Sequence, residues 1–225
     1  MISKFFLLAA ICLGLAVPTN ASANSNKLMN RSAAAAQDLQ ELMNTPDRSA
    51  PISLINHATC IAVIPGLKKA GFGIGAEYGR GLASCRMGQA WSAPEFIMTT
   101  GGSVGFQIGL ASTDVVLVFV TPDALNRLSG GNFTLGGDAT LAAGPVGRDL
   151  QAGTDYKLDS EIYSYARSKG AFAGIAVSGA VLQPDDSANR TVYGANIKAN
   201  DILTGAFYLI PAEVQGFIGA LNSLP

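Results

Sequence analysis

Charge and histidine are scarce in this 225-residue chain. Charged residues make up 14% of it, whereas about a quarter is usual for soluble domains. The 15 basic and 16 acidic residues give a net charge of −1, and neither a basic run nor a zinc-finger spacing occurs. Because nucleic-acid binding depends on a positive field, the composition predicts that the protein has no nucleic-acid partner.

Motifs for metal, nucleotide and catalytic chemistry are also missing. A single histidine, His57, and three cysteines are too few for most metal sites, and no nucleotide-binding glycine motif occurs. GGSVG at 101–105 matches the G-x-S-x-G pattern of hydrolases, but His57 precedes Ser103, whereas that fold places its histidine after the serine. We therefore predict no metal, no cofactor and no enzymatic activity.

One uncharged apolar run is present near the N-terminus. Lys4 is followed by the uncharged apolar run 5–17 and by Ala21-Ser22-Ala23, an A-x-A cleavage pattern. Such a run is short for a membrane-spanning helix and typical of a signal peptide. We expect a signal peptide at 1–23, a mature chain at 24–225, and a periplasmic or secreted location.

Cleavage would leave two cysteines, Cys60 and Cys85. In an oxidising compartment this pair favours one disulfide, with two buried free thiols as the alternative. A bridge would stabilise the fold by roughly 3 kcal/mol on the loop-entropy model.

The apolar content of the whole chain, 48%, predicts a folded single domain. Three- and four-residue spacing predicts an N-terminal helix at 27–43, and a helical tail is expected near the C-terminus. Between them, the pattern predicts a strand-rich core at 60–182, with turns at Pro65-Gly66 and Gly79 and a helix after Pro122. A polar loop is predicted at 183–190. Because no regular strand-helix alternation occurs, we predict an α+β fold with a mostly antiparallel, Gly-rich β-sheet and flanking helices.

Glycines alternate with apolar residues at 71–76, and at 103–109 Gly105 and Gly109 alternate with apolar residues in the same way, together with Ser103 and Gln107. A strand face without side chains lets another group approach its backbone, either a packed helix or a bound acyl chain, and both alternatives stay open. Basic residues lie at predicted strand ends beside such glycines, where backbone N–H groups help to bind anions. We predict a phosphate-headgroup site from these residues: Lys68, Lys69, Arg148, Arg167 and Lys169.

These segments resemble the SYLF family. The matching stretches are CIAVIPGLKKAGFGIGAEYGRG at 60–81, WSAPEFI at 91–97, GGSVGFQIG at 101–109, TDVVLVF at 113–119, LGGDATLAAGPVGR at 135–148 and IYSYARSKGAFAG at 162–174. Together with TD at 154–155 and YG at 193–194, they occur in order and span most of 56–205. The resemblance implies a single phospholipid-binding domain, with phosphoinositides favoured in eukaryotic members.

The resemblance also implies membrane contact by a basic N-terminal helix, with Lys27 and Arg31 in that role, and actin binding in some members. An exported protein meets no cytosolic actin, so actin is expected to be a doubtful partner. Together the residues and the resemblance predict an exported, non-enzymatic protein that binds anionic phospholipid or a membrane surface. The alternative is a structural or protein-interaction module of the cell envelope without a lipid ligand.

Overall fold

Two long antiparallel strands form the centre of the fold. The computed structural model describes residues 20–45, 49–145, 159–205 and 209–225. Strand β1 (Cys60–Met87) pairs with β3 (Glu95–Phe119) from Cys60 opposite Phe119 to Ala83 opposite Glu95, and the short β2 (Ala90–Trp91) pairs with the end of β1. The turns predicted at Pro65-Gly66 and Gly79 are wrong. Pro65-Gly66 is a bulge, with Gly66 at φ 58°, and the strand continues through Gly79.

Strand β1 folds back so that its two ends meet. The N–H of Arg86 donates to the carbonyl oxygen of Thr59 at 2.7 Å, and Cys60 and Cys85 form a disulfide with their Cα atoms 4.0 Å apart. The sheet is therefore curled rather than flat.

Shorter strands extend the second edge of β3 at its two ends. They are β4 (Phe133–Thr134), β5 (Leu141–Ala143), β6 (Ile162–Arg167), β7 (Ala173–Gly174) and β8 (Ala180–Pro184). Residues 114–119 of β3 pair with β6 and residues 97–101 pair with β8, while β4 pairs with β8, and β5 and β7 pair with β6. Since β5 runs parallel to β6, the sheet is mixed. The predicted α+β class is confirmed, although the sheet is not purely antiparallel.

The helices flank this sheet. They are α1 (Asn20–Met43), α2 (Ser49–Asn56), α3 (Ala124–Ser129), α4 (Asp186–Tyr193), α5 (Ala199–Leu203), a 3-10 turn (Ala212–Val214) and α6 (Gln215–Asn222). Helix α1 begins before the predicted position 27. The polar loop predicted at 183–190 is wrong, because the Asp185 side chain accepts from the N–H of Ala188 at 3.3 Å and caps α4.

Among the helices in the described part of the chain, none is long and apolar enough to cross a bilayer.

The sheet is buried on both faces, which explains its continuous apolar runs. One face packs side chains such as Val63, Phe96 and Val118 against Leu39 of α1 and Phe217 of α6. The opposite face buries a second cluster, which includes Ile64, Leu117, Leu128, Phe133 and Leu203. Alternate residues of β1 and β3 therefore enter different cores.

The middle of the β1–β3 pair differs from the rest of the sheet in its strand pairing at one edge. Among the described residues, no third strand pairs with β3 between Gly101 and Asp114. Residues 67–76 and 102–113 therefore form a two-stranded segment, the glycine ribbon. Its backbone register places Gly71 opposite Gly109 and Gly73 opposite Gly105. This segment positions the candidate site.

Candidate functional site

The predicted headgroup cations do not converge in one site. Two of them, Lys68 and Lys169, remain exposed at the base of the glycine ribbon, and Lys27 is exposed on α1. Three others are engaged with acidic side chains, as described below. Arg148 lies outside the described residues. The prediction of a single site built from all these residues is therefore not supported by the geometry.

Arg167 binds carboxylates of its own chain. Its Nη2 lies 3.0 Å from Asp38 of α1 and 2.8 Å from Asp114 of β3, it also contacts Glu41, and it stacks on the ring of Phe172 at 4.9 Å. A guanidinium held on several sides is a structural link between α1 and the sheet. It has little capacity left for a phosphate.

The positive charge of Arg167 does not fully compensate the negative charges of Asp38, Glu41 and Asp114. Burial raises the pKa of Asp38 to about 7; the nearby charge of Asp114 raises it as well, and Arg167 opposes the shift. One oxygen of Asp38 is buried without a hydrogen-bond partner among the described residues. The α1 attachment thus contains a carboxyl that gains a proton near neutral pH.

Arg31 and Lys69 also pair with buried acids. Arg31 lies 2.9 Å from Asp185 and 5.4 Å above the centre of the Phe96 ring. Lys69 lies 3.1 Å from Glu77, whose side chain is 3% exposed. Breaking either pair would leave a buried charge uncompensated, so both cations have structural roles.

Lys68 and Lys169 lie on opposite sides of β3. The Lys68 ammonium donates to the Ser112 hydroxyl at 2.9 Å, and the next residue, Thr113, is hydrogen-bonded at 2.8 Å to Ser168, which precedes Lys169. Within the described ranges, neither lysine forms an ion pair. Two solvated cations therefore mark the base of the ribbon.

An exposed leucine lies beside these lysines. Leu110 is 88% exposed, the highest value among the large apolar side chains described. Leu110 is opposite Ala70, and two residues further along β3, Ser112 is opposite Lys68. Because opposite residues and every second residue of a strand lie on the same face, Lys68, Ala70, Leu110 and Ser112 share one face of the ribbon. Sequence reasoning missed Leu110, because an apolar residue in a strand is normally assigned to a core. The polar residues that follow it, Ser112 to Asp114, were the available signal.

Glu95 is a second residue that the sequence did not indicate. It is fully buried at the start of β3, and neither carboxyl oxygen has a hydrogen-bond partner in the described part of the chain. Burial raises the pKa of Glu95 well above 4.5, and the charge of Asp186 adds to the shift. The protonated carboxyl of Glu95 is therefore part of the buried core and not of an accessible site.

No metal site is formed by the residues that the structure describes, since they contain no group of three or more His, Cys, Asp or Glu residues in position to bind an ion. His57, at the end of α2, is exposed and its Nδ1 lies 2.8 Å from the carbonyl oxygen of Ser53. The chemistry available at the surface is therefore that of cations and exposed apolar groups.

Comparison with known proteins supplies the family. A profile described as "Ysc84: Las17-binding protein actin regulator" matches residues 100–224. The SH3 domain-containing YSC84-like protein 1 of Rattus norvegicus is 36% identical over 182 residues, which are 80% of this chain and 53% of that protein. LAS seventeen-binding protein 3 of Saccharomyces cerevisiae is 35% identical over 170 residues, 74% of this chain and 37% of that protein. The chain spans about half the length of the first of these relatives.

These names correct one prediction and support another. The expectation that actin is a doubtful partner is wrong, because the matching family is itself described as a Las17-binding actin regulator and one relative is named for Las17 binding. The relatives' names describe binding proteins rather than enzymes; the absence of catalysis stays a prediction. The SYLF resemblance is confirmed, and the chain belongs to the Ysc84 (SYLF-domain) family.

Proposed function

We propose that this domain binds anionic phospholipid surfaces through the glycine ribbon, with Lys68 and Lys169 at the headgroups and Leu110 inserted between them. The observation that carries the proposal is the position of Leu110, 88% exposed on the same ribbon face as an unpaired lysine. An isolated apolar side chain next to cations suits the boundary between headgroups and acyl chains.

The expected energies are those of a reversible contact. Burying a leucine side chain contributes about 1.5–3 kcal/mol, and each lysine close to an anionic membrane contributes about 1 kcal/mol. The net charge of −1 does not prevent this contact, because at a Debye length of about 8 Å distant acids are screened while a lysine at the surface is not. Attachment is therefore peripheral and weakens with salt.

A second candidate function is binding of an actin-regulatory protein partner. The names of the family and of its relatives favour it, since they refer to Las17 binding and actin regulation. This candidate and lipid binding can use different surfaces, but they differ in the compartment they require, because an exported protein meets no cytosolic actin.

Export is part of the lipid proposal. Residues 1–19 lie outside the described residues, so the signal peptide rests on the sequence. The Cys60–Cys85 disulfide supports an oxidising compartment. Intact-mass measurement of the protein recovered from its native cell tests this point, and a chain that retains Met1 would contradict cleavage after Ala23.

Vesicle co-sedimentation tests lipid binding. The double variant Lys68→Glu/Lys169→Glu should bind phosphatidylserine-containing vesicles about tenfold or more weakly than wild type, because two attractions become repulsions. Lys27→Glu/Lys198→Glu changes two other exposed lysines by the same total charge and is the matched control. Equal losses in both variants would show a nonspecific charge effect, and no binding by wild type would favour a module without a lipid ligand.

A further inference from the structure

A second concentration of positive charge lies away from the glycine ribbon, in a groove between α1, β1, α4 and α5. Two adjoining hollows share Arg80, Asp185 and Ser187 as a common wall. The smaller lies against α1, and the larger, with a volume of about 730 Å³, extends past Gly130-Gly131 toward α5. We refer to both together as the polar groove.

The polar groove is enriched in cations relative to the chain. Among the described residues, five of the 11 basic residues line it, but only two of the 13 acidic residues do so. The basic residues come from four elements or their flanks: Lys27, Arg31, Arg80, Arg190 and Lys198. The acidic residues are Asp185 and Asp186.

Internal pairing leaves most of this positive charge available. Asp185 is buried and is compensated by Arg31 at 2.9 Å, while its other oxygen caps α4. Arg80, 41% exposed, is 3.8 Å from the same carboxylate, and Arg190, 52% exposed, is 3.9 Å from Asp186. Lys27 and Lys198 are exposed and form no ion pair with any residue in the described ranges. The groove therefore has unbalanced positive charge.

We infer that the polar groove binds an extended acidic segment of a protein partner, rich in Asp or Glu. Its cations are distributed along the walls of an open groove, which suits carboxylates repeated along a chain better than one compact anion. The amides of Asn132 and Gln183 also line it and provide donors and acceptors for a peptide backbone. A recessed groove is less suited than the ribbon to a planar bilayer.

This inference does not depend on lipid binding at the ribbon. It gives the second candidate function, a protein partner, a defined surface with a defined chemistry. The two sites predict opposite effects for the same pair of double variants, so failure of one proposal is distinguishable from failure of the other.

The test is binding of a fluorescein-labelled deca-glutamate peptide, followed by fluorescence anisotropy at low ionic strength and at about 0.15 M salt, where the Debye length is about 8 Å. Lys27→Glu/Lys198→Glu should weaken binding by about tenfold or more, whereas Lys68→Glu/Lys169→Glu should leave it within about twofold of wild type. Lys27→Gln/Lys198→Gln should give an intermediate loss, which guards against effects of charge reversal on folding.

Three results would overturn the inference. Wild type that fails to bind deca-glutamate even at low salt has no acidic-peptide site. Equal losses in the two glutamate variants show nonspecific attraction. Loss of phosphatidylserine-vesicle binding by Lys27→Glu/Lys198→Glu, with peptide binding unchanged, assigns the groove to lipid.

Discussion

Gly81 lies directly against the backbone of Val63, where the two ends of β1 cross. A Cβ atom added at Gly81 would be 2.0 Å from the Val63 carbonyl oxygen and 3.0 Å from the Cα of Ile64. This contact allows a single strand to close on itself, and the disulfide lies a few residues further along the same crossing. Glycine is therefore required here by space rather than by backbone dihedral angles.

Gly81→Ala should destabilise the domain by about 3 kcal/mol or more, because the neighbouring atoms belong to the backbone and cannot rotate away. Urea unfolding followed by circular dichroism measures the change. The matched control is Gly219→Ala in α6, where nothing lies within 4 Å of the added Cβ. This control should be neutral or stabilising by about 0.5–1 kcal/mol. Equal stability of Gly81→Ala and wild type would show that β1 does not cross in this way.

Reduction of the disulfide should lower the free energy of unfolding by about 3 kcal/mol, since the bridge closes a loop between residues 25 apart in sequence. The double variant Cys60→Ala/Cys85→Ala should show a similar loss and no further change on adding reductant. Urea unfolding with and without reductant measures both. Two thiols that react with an alkylating agent in the unreduced native protein would contradict the bridge.

Stability should depend on pH through Asp38. Its pKa is about 7 in the folded protein and about 3.9 in an unfolded chain, so the folded state binds the proton more strongly. The contribution of Asp38 to the free energy of unfolding is therefore complete below about pH 4, declines as pH rises, and is lost once pH passes about 7. Glu95, whose pKa is also raised, changes stability in the same direction.

Asp38→Asn should therefore gain stability relative to wild type between pH 5 and pH 8 in urea unfolding experiments. The groups that face Asp38 remain in place: Glu41 on α1, Asp114 on β3 and Arg167 on β6. Asp123→Asn, which removes a carboxylate that is 55% exposed, is the control and should leave the pH dependence unchanged. A pH dependence that is the same in Asp38→Asn and wild type would refute the assignment.

The sequence predicted much of the secondary structure, for identifiable reasons. The N-terminal helix, the helix after Pro122 and the helical C-terminus depend on local patterns and are present. The single strand β1 could not be inferred, because Pro-Gly at 65–66 and Gly79 are typical turn residues. Here one forms a bulge and the other provides space for Ile64 and Leu67. Both the bulge at 65–66 and the continuous strand at Gly79 depend on how the two ends of β1 cross, which local sequence patterns do not reveal.

The candidate site was predicted less well than the fold. Lys68 and Lys169 are exposed cations near glycines, as predicted, although Lys68 lies within β1 rather than at a strand end. Arg31, Lys69 and Arg167 were not recognised as structural, since their partners Asp185, Glu77 and Asp38 are distant or unremarkable in sequence. Pairing of cations with buried acids depends on tertiary structure, which sequence spacing alone does not reveal.

Fluorescence of an indole placed on the glycine ribbon tests lipid contact most directly. Leu110→Trp introduces it beside Lys68, and the wild-type signal can be subtracted because Trp91, the single native tryptophan, is buried. Met29→Trp, at a position 36% exposed on α1, tests the competing contact through the N-terminal helix. With phosphatidylserine vesicles that carry brominated acyl chains, we predict a blue shift and quenching for Leu110→Trp and neither for Met29→Trp. Quenching at position 29 with none at position 110 would contradict the account.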